Sequence, residues 1–420
     1  MLNTLISFIA LLFLLALVAY VLVLIANNFR AHTLYERNAD IEADMLKAQF
    51  NQIMEKRRLR TEQIKLSWNG FRKFKIVSKV KETHDITSFY LCPHDGKPLP
   101  EFLPGQYLTF RIFISGKSKP VIRCYSLSDS HNPERYRVTI KKLPPPKDNL
   151  EAPPGLVSNY LHDSLNESDI VNVKAPSGHF CIDITKNSPL VLLSGGIGIT
   201  PMLSMLNALK ETGPKREIWF FHGVRNKEEQ LMKEHLETVA RGNPNIHLII
   251  FYSAPAETDS LNEDYHVKGR VTVANIKPFL PSSNYNFYIC GPPPMIEDLR
   301  NDLAEWGVPK KNILFEAFGR ATVKRCKPDA SKDKAPKIDI RFSKSGKTLP
   351  WDPNLSSLLE LGEKNGIPLE SGCRAGNCGT CLTAIKNGEV VYVTEPGSQP
   401  EEGSCLTCIA VPKGDLTLDA

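Results

Sequence analysis

The chain has 420 residues, which at about 100–200 residues per domain allows two to four domains. It is 42% hydrophobic and 23% charged, a balance that suits folded domains and excludes a disordered chain. The net charge of +6 comes without a long basic run, so nucleic acid is not an expected partner. Five of the ten cysteines fall within 36 residues near the C-terminus, which favours a metal site over a disulfide framework.

An uncharged apolar run of 22 residues occupies positions 5–26. As one helix it would extend about 33 Å, enough to cross a bilayer core. No Lys or Arg precedes it and it exceeds the about 7–15 apolar residues of a signal peptide, so an anchor is favoured over a cleaved signal or a core helix. Basic residues from Arg30 onward then place the rest of the chain in the cytoplasm. We therefore predict a single-pass anchor in the cell (inner) membrane at residues 1–28 and a helical stalk at 29–66.

Three folded modules are predicted after residue 66, because the apolar pattern changes twice. Short strand-like runs without a long amphipathic helix indicate an antiparallel β-barrel at residues 67–185. Apolar strands that alternate with helical stretches indicate an α/β domain with a parallel sheet at 186–326. A Lys-, Pro- and Asp-rich linker at 327–336 leads to residues 337–420, where a hairpin and a short helix precede the cysteine cluster. The predicted fold class is multidomain, with a transmembrane helix ahead of these modules.

The cysteine cluster carries the most specific spacing in the chain. Cys373, Cys378 and Cys381 form a C-x4-C-x2-C pattern, the plant-type [2Fe–2S] spacing that a distant fourth cysteine completes. Small residues between them let backbone N–H groups approach the sulfurs. A structural zinc site would use two C-x2-C knuckles and leave Cys373 surplus, so the iron–sulfur cluster is favoured. Cys405 and Cys408 are both candidates for the fourth ligand.

This C-terminal segment resembles the plant-type ferredoxins, which have the β-grasp fold. In that family the last ligand stands in a Leu-Thr-Cys step directly before an apolar strand, and Leu406-Thr407-Cys408 matches it. The resemblance implies that Cys408 is the fourth ligand and that residues 337–420 form a β-grasp domain. Cys405 would then be a buried or backup thiol.

The segment Arg123-Cys124-Tyr125-Ser126 is the second strong motif. Together with Gly155-Leu156-Val157-Ser158 further along the chain, it resembles the flavin-binding signature of the ferredoxin–NADP reductase superfamily. The resemblance implies that Arg123 neutralises the flavin diphosphate, Tyr125 packs on the isoalloxazine and Ser126 hydrogen-bonds near the reactive N5. Backbone N–H groups at the helix start would hold the diphosphate, which favours FAD over FMN.

A Gly-rich turn connects a strand to a helix between Ser194 and Pro201. Such turns let the backbone approach a pyrophosphate at a helix N-terminus. The turn differs from G-x-G-x-x-G but resembles the G-G-x-G-x-T-P turn of the same reductase superfamily, which implies nucleotide binding by Gly196, Gly198, Thr200 and Pro201.

Two later segments resemble other parts of the nucleotide site in that superfamily. Cys290-Gly291-Pro292 matches its second nucleotide segment and implies that Cys290 lies beside the nicotinamide C4, with a plain buried cysteine as the alternative. Glu316-Ala317-Phe318 resembles the segment that closes the flavin, which implies that Glu316 is a catalytic residue and that Phe318 covers the nicotinamide site until substrate arrives.

The choice between NADH and NADPH depends on the end of the second strand of the parallel sheet. Arg225 follows that strand, where the adenosine ribose would lie, and an arginine there can pair with a 2′-phosphate. A solvated surface arginine is the alternative. We expect NADH, with NADPH left open.

The order of the three modules resembles the flavin reductases that carry a C-terminal ferredoxin domain and serve Rieske oxygenases, the class of phthalate dioxygenase reductase. That resemblance implies electron flow from NAD(P)H through FAD and a [2Fe–2S] cluster to a partner oxygenase, hydroxylase or desaturase. Two alternatives remain: an NADH:quinone reductase component at the membrane surface, and a redox sensor without turnover.

Overall fold

The structure is a computed structural model that divides into two compact units, residues 1–64 and 65–420. In the second unit it describes residues 66–420 except 117–119, 146–150, 152, 214–215, 319–337, 377–378, 394–395 and 397–399. Before residue 66 it describes 14–15, 17–30, 32, 42–51, 53–54 and 57–58, and all of these are helical.

The predicted transmembrane anchor, and the inner-membrane location derived from it, are contradicted by the structure. Within the described part of the chain, no helix combines the length and the mean hydropathy that a membrane crossing requires.

The first domain of the second unit is a six-stranded antiparallel sheet with the strand order β4-β3-β6-β1-β2-β5. An antiparallel bridge between Leu127 and Val138 brings the outer strands β4 and β5 together. A short helix, α1, is inserted before the last strand. The elements are β1 (Arg72–Lys81), β2 (Ile86–Pro93), β3 (Tyr107–Ile112), β4 (Val121–Ser126), β5 (Tyr136–Lys141), α1 (Leu156–Asp163) and β6 (Ile170–Val173).

The second domain is an α/β fold whose six strands are all parallel, in the order β10-β9-β8-β7-β11-β12. The elements are β7 (Leu190–Gly195), α2 (Ile199–Thr212), β8 (Ile218–Val224), α3 (Lys233–Gly242), β9 (Ile246–Tyr252), β10 (Val267–Lys268), α4 (Val273–Ile276), β11 (Asn286–Gly291), α5 (Pro293–Glu305) and β12 (Ile313–Ala317).

The order of these parallel strands creates a switch point beside β7. From β7 the chain builds outward to β8, β9 and β10, and then returns to the other side of β7 to form β11 and β12. The turns that leave β7 and β11 therefore run to opposite sides of the sheet and open a crevice at their carboxyl ends. Ligands of open α/β sheets bind in that crevice.

The third domain is a five-stranded mixed sheet in the order β14-β13-β19-β15-β17, with a small β16–β18 ribbon beside it. Helix α6 packs its leucines against the central strands. The elements are β13 (Asp339–Phe342), β14 (Lys347–Pro350), α6 (Leu358–Lys364), β15 (Leu382–Asn387), β16 (Val390–Tyr392), β17 (Ser404–Leu406), β18 (Ala410–Pro412) and β19 (Leu416–Leu418).

Each sheet has its own hydrophobic core. In the barrel the core includes Phe74, Leu108 and Val138, all fully buried. The parallel sheet has a core on each face because successive side chains of a strand alternate, so Leu192 packs with α2 while Val191 packs with α5. The multidomain architecture predicted from the sequence is confirmed for the antiparallel and the parallel domains.

A buried hydrogen bond in the barrel core can be tested by substitution. The hydroxyl of Tyr136, which is 1% exposed, donates to the carbonyl of Pro100 at 3.0 Å. Tyr136→Phe should lower the free energy of unfolding of this domain by about 1–2 kcal/mol, because it leaves a buried carbonyl without its donor. Thermal unfolding monitored by circular dichroism measures the effect. Tyr90→Phe is the matched control, since it removes a hydroxyl from a half-buried position of the same sheet. Equal midpoints for the two variants would contradict the prediction.

Candidate functional site

A cavity of about 870 Å³ lies in the second unit, and all three of its domains contribute to the wall. That volume is within the range of small-molecule and cofactor sites, about 300–1,000 Å³. Most of the residues that the motifs predicted for the site lie on this wall. They are Arg123, Tyr125, Ser126, Gly155, Val157, Ser158, Gly196, Gly198, Thr200, Arg225, Gly291, Pro292, Glu316, Phe318 and Cys373.

Strand β4 forms the barrel side of the cavity. Alternation along the strand puts Arg123 and Tyr125 on the same face. The Tyr125 ring packs edge-on against Phe110 at 5.4 Å, and burial raises the pKa of its hydroxyl. The Arg123 guanidinium donates to the carbonyl of Ile122 at 2.7 Å. The arrangement presents an aromatic ring and a cation to one side of the cavity, which fits a flavin ring with a diphosphate.

The start of α1 forms a second part of the barrel wall. A Cβ at Gly155 would lie 2.7 Å from the Cβ of Leu143 and 2.8 Å from the Ser158 hydroxyl, so only glycine fits there. The Ser158 hydroxyl donates to the Gly155 carbonyl at 3.1 Å and accepts from the Leu143 N–H at 3.2 Å. Val157, at 2% exposure, anchors the helix in the barrel core. This tight turn fits the predicted diphosphate site, because first-turn N–H groups are available to an anion.

The turn after β7 forms the nucleotide side of the cavity. A Cβ at Gly198 would lie 2.2 Å from the carbonyl oxygen of Cys290, and one at Gly195 would lie 2.6 Å from the sulfur of Met295. Glycine at 198 therefore allows the backbone of this turn to pack on the end of β11, and glycine at 195 leaves room for the Met295 side chain at the start of α5. The Thr200 hydroxyl donates to the Ile197 carbonyl at 3.1 Å and closes the turn into α2. Packing therefore fixes the position of the backbone at the crevice, and a backbone fixed in this way can bind a pyrophosphate.

Cys290 and Pro201 do not line the cavity, although the motifs include them. Both are buried, and Cys290 has no exposed surface. Cys290 is paired in register with Glu316 across β11 and β12. Burial, and then the carboxylate of Glu316, raise the pKa of the Cys290 thiol well above its usual value. The structure thus places Cys290 behind the wall as a neutral thiol, and its role at the nicotinamide stays a prediction.

Glu316 connects the barrel to the nucleotide domain inside the cavity. The Ser126 hydroxyl donates to its carboxylate at 3.3 Å, and both side chains are 6% exposed. Phe318, which follows on the chain, is 37% exposed and lines the same cavity. A hydroxyl and a carboxylate therefore meet where the two domains face each other, which is the place that the sequence predicted for flavin N5.

The loop that carries the predicted cluster ligands forms the third part of the wall through Gly372, Cys373 and Arg374. The sulfurs of Cys381 and Cys408 lie 3.2 Å apart. The contact with Cys381, together with burial, raises the pKa of the Cys408 thiol. Such a buried pair of thiols fits a metal cluster, because a metal stabilises both as thiolates.

Cys378, the second predicted ligand along the chain, lies outside the described residues. Within the part that the structure describes, no three His, Cys, Asp or Glu side chains gather closely enough to hold a metal ion. Cys405 lies in the core beneath the sheet, in a different apolar cluster from Cys381 and Cys408. That position favours Cys408 over Cys405 as the fourth ligand, as the ferredoxin resemblance implies.

An ion pair that the sequence analysis missed holds the cluster loop to α6. Arg374 stands directly after Cys373 in the left-handed region, at φ +58°, which non-glycine residues rarely adopt. Its guanidinium forms a two-pronged pair with Glu363, and one of the two bonds, from Nη1, measures 2.8 Å. The pair fixes the loop beside the first ligand.

The cavity also has lining residues that no motif indicated. Glu229 follows Arg225 by four positions, a spacing that can signal an ion pair. Arg270 follows Gly269, whose φ of +141° marks a tight turn after β10. Asp298 lies on α5 and lines the wall beside Pro294.

The comparisons with known proteins agree with this division of the second unit. Three family models match the chain: the oxidoreductase FAD-binding domain at residues 73–182, the oxidoreductase NAD-binding domain at 192–301, and the 2Fe-2S iron-sulfur cluster binding domain at 340–413. The chain is therefore an oxidoreductase with FAD-binding, NAD-binding and C-terminal [2Fe–2S] domains. The predicted cofactors are confirmed at the level of these domains, while the domain boundaries predicted from the sequence stay predictions.

Among solved structures, the chain is similar to phthalate dioxygenase reductase, described as a modular structure for electron transfer from pyridine nucleotides to [2Fe–2S]. The two are 26% identical with a TM-score of 0.54, over 84% of this chain and 98% of that one. The flavohemoglobin-like FAD/NAD-binding domain of nitric oxide dioxygenase from Vibrio cholerae is 29% identical with a TM-score of 0.53, over 60% of this chain and all of that one.

Flavohemoproteins are among the curated relatives that the chain matches. The flavohemoprotein of Bacillus thuringiensis is 41% identical over 254 residues, 60% of this chain and 62% of that protein. The chain thus spans less than two thirds of the length of the flavohemoproteins that it matches.

The packing of the Gly198 turn gives a direct test of the nucleotide crevice. Gly198→Ala should lower the free energy of unfolding by about 1–3 kcal/mol, because its methyl group meets a backbone carbonyl that cannot move aside. The affinity for NAD+ should fall at least tenfold, on the order of 1.4 kcal/mol. Calorimetry measures both. The control is Gly242→Ala at the end of α3, where a Cβ meets no atom within 4 Å. Unchanged NAD+ affinity in Gly198→Ala would refute the prediction.

The Arg374–Glu363 pair gives a test of the cluster loop. Glu363→Gln should speed the loss of the cluster absorbance on mild heating by about threefold to tenfold, because the half-buried guanidinium loses its charged acceptor. Glu389→Gln is the matched control, since it breaks an exposed pair with Lys413 elsewhere in the same domain. The idea fails if both variants lose the cluster at the rate of the unsubstituted protein.

Proposed function

We propose that this chain is the reductase component of an oxygenase system. In this proposal it takes electrons from NADH, carries them through bound FAD and a [2Fe–2S] cluster, and delivers them singly to a partner oxygenase, hydroxylase or desaturase. The observation that carries the proposal is the single cavity walled by the barrel, the parallel-sheet domain and the cluster loop. The similarity to phthalate dioxygenase reductase supports the same order of carriers.

The cofactors supply the electron chemistry, since a flavin accepts a hydride and releases single electrons, which a [2Fe–2S] cluster carries one at a time. The protein then has to bind, orient and exclude water. In this proposal Arg123 and the turn at Gly155 hold the flavin diphosphate, while Tyr125 packs on the ring. The turn from Gly196 to Thr200 and the segment Gly291–Pro292 hold the nucleotide on the opposite wall.

Ser126 and Glu316 are proposed to act where the nucleotide and flavin meet. Their hydrogen bond of 3.3 Å joins the barrel to the nucleotide domain and is almost fully shielded from water. The Glu316 carboxylate orients the proton of the Ser126 hydroxyl. When that hydrogen bond breaks, the hydroxyl can donate to a ring nitrogen of the flavin. Phe318 covers the wall beside this pair until the nicotinamide enters.

The proposal also requires a short path for electrons from the flavin to the cluster. Cys373 and Arg374 reach the cavity itself, so the first ligand lies next to the flavin space. Outside the cavity, Lys174 of the barrel pairs with Glu370 of the third domain at 3.5 Å. This pair links the barrel to the segment just before the cluster loop.

Anaerobic titration with NADH tests the proposal and separates the two late cysteines. In the unsubstituted protein, NADH should bleach both the flavin and the cluster bands. Cys408→Ser should retain a flavin that NADH reduces but lose the cluster signal in electron paramagnetic resonance. Cys405→Ser should keep both. A flavin that reduces while an intact cluster stays oxidised would overturn the proposed chain of carriers.

A further inference from the structure

The adenosine end of the cavity is where NADH and NADPH differ. Strands β7, β8 and β9 end side by side, with Gly195 opposite Gly223 and Gly223 opposite Phe251. Arg225 and Ser253 stand just past these ends and line the cavity. In a sheet with the pyrophosphate turn after its first strand, the adenosine ribose lies past the end of the next strand. The ribose 2′ position would therefore be next to Arg225.

Arg225 is already engaged by a carboxylate. Its Nε lies 3.4 Å from Oε1 of Glu229, and Glu229 also lines the cavity. The side chain of Glu229 is 19% exposed against 58% for Arg225, so the carboxylate is the better shielded member of the pair. The pair is held from both sides of the loop, since the Arg225 carbonyl accepts from the Ala254 N–H at 2.9 Å and the Glu229 N–H donates to Asn226 at 3.3 Å.

This pair has opposite consequences for the two nucleotides. A ribose 2′-hydroxyl can donate to a carboxylate, which is how many NAD sites hold it. A 2′-phosphate would have to approach the negative charge of Glu229 and also displace it from Arg225. A like charge in the site of the unwanted ligand is an effective way to reject it.

We propose that Glu229 makes this chain selective for NADH, by occupying Arg225 and placing a carboxylate where the 2′-phosphate of NADPH would lie. The proposal deepens the proposed function and rests on it, because it concerns the same nucleotide site. Without the carboxylate, Arg225 would be available as a phosphate ligand. An arginine at this position can favour NADPH by pairing with its 2′-phosphate. Arg225 does not do so here, because Glu229, four positions further on, pairs with it.

Arg270 is the competing cation. It also lines the cavity and its side chain is exposed. If Arg270 held the 2′-phosphate, the charge on Glu229 would not set the preference. The two explanations predict different effects on nucleotide affinity when the charge of Glu229 is removed.

Isothermal titration calorimetry of the holoenzyme with ADP-ribose and with 2′-phospho-ADP-ribose separates them. The unsubstituted protein should bind ADP-ribose more tightly. Glu229→Gln should raise the affinity for 2′-phospho-ADP-ribose about tenfold, equivalent to about 1.4 kcal/mol, and change that for ADP-ribose less than threefold. Glu228→Gln, which removes the same charge from an exposed position outside the cavity lining, should change neither affinity.

Two further measurements strengthen the test. The double variant Arg225→Gln, Glu229→Gln should lose the gain, because the arginine is the ligand that the single change releases. Discrimination by the unsubstituted protein should also shrink at high salt, since screening weakens exposed charges.

The outcomes that overturn the inference are distinct from those that overturn the proposed function. If both analogues bind but Glu229→Gln leaves their ratio unchanged, or if the unsubstituted protein prefers 2′-phospho-ADP-ribose, only the role of Glu229 is refuted. If neither analogue binds the unsubstituted holoenzyme, the nucleotide site itself is refuted and both proposals fall. Loss of binding of both analogues in Glu229→Gln would also refute the selectivity role, because it would show that the residue supports the site as a whole and not the choice between the two nucleotides.

Discussion

The close approach of two backbone segments beside β7 is the constraint on which the rest of the site depends. Gly198 lets the turn after β7 pack directly on the end of β11, where the carbonyl of Cys290 leaves no room for a Cβ, and Gly195 gives room to the Met295 side chain beside it. That packing fixes the crevice at the switch point of the parallel sheet. It also sets β12, the neighbour of β11, so that Glu316 reaches Ser126 across the domain boundary. A local choice of glycine therefore positions groups from two domains.

The local motifs were predictable from the sequence because the residues that carry the chemistry of each motif are close together in the chain. Cysteine spacing, the Gly-rich turn and the Arg-x-Tyr-Ser strand each need only a few positions, and the structure brings most of those residues to one cavity. Strand β10, with two residues, is too short to show the alternation by which a strand is predicted. The anchor was predicted from apolar composition alone, and within the described part of the chain no helix has the length and mean hydropathy that it requires.

Contacts between distant residues could not be predicted in the same way. The Glu363–Arg374 pair joins positions on a helix and on the cluster loop, and Lys174 meets Glu370 across a domain boundary. Both depend on packing that no local pattern encodes. The Arg225–Glu229 pair is intermediate, since its i, i+4 spacing was visible while its place on the cavity wall was not. The residues that tune the site are accordingly harder to predict than those that form it.

The central claim is that one chain brings nucleotide, flavin and cluster sites to a single cavity. The most direct test is the rate at which the cluster bleaches after rapid anaerobic mixing with excess NADH, measured over a hundredfold range of protein concentration. We expect a first-order rate that does not change with protein concentration, because the electrons stay within one chain. A rate that rises in proportion to protein concentration would contradict it, since it would mean that the cluster receives electrons from another molecule.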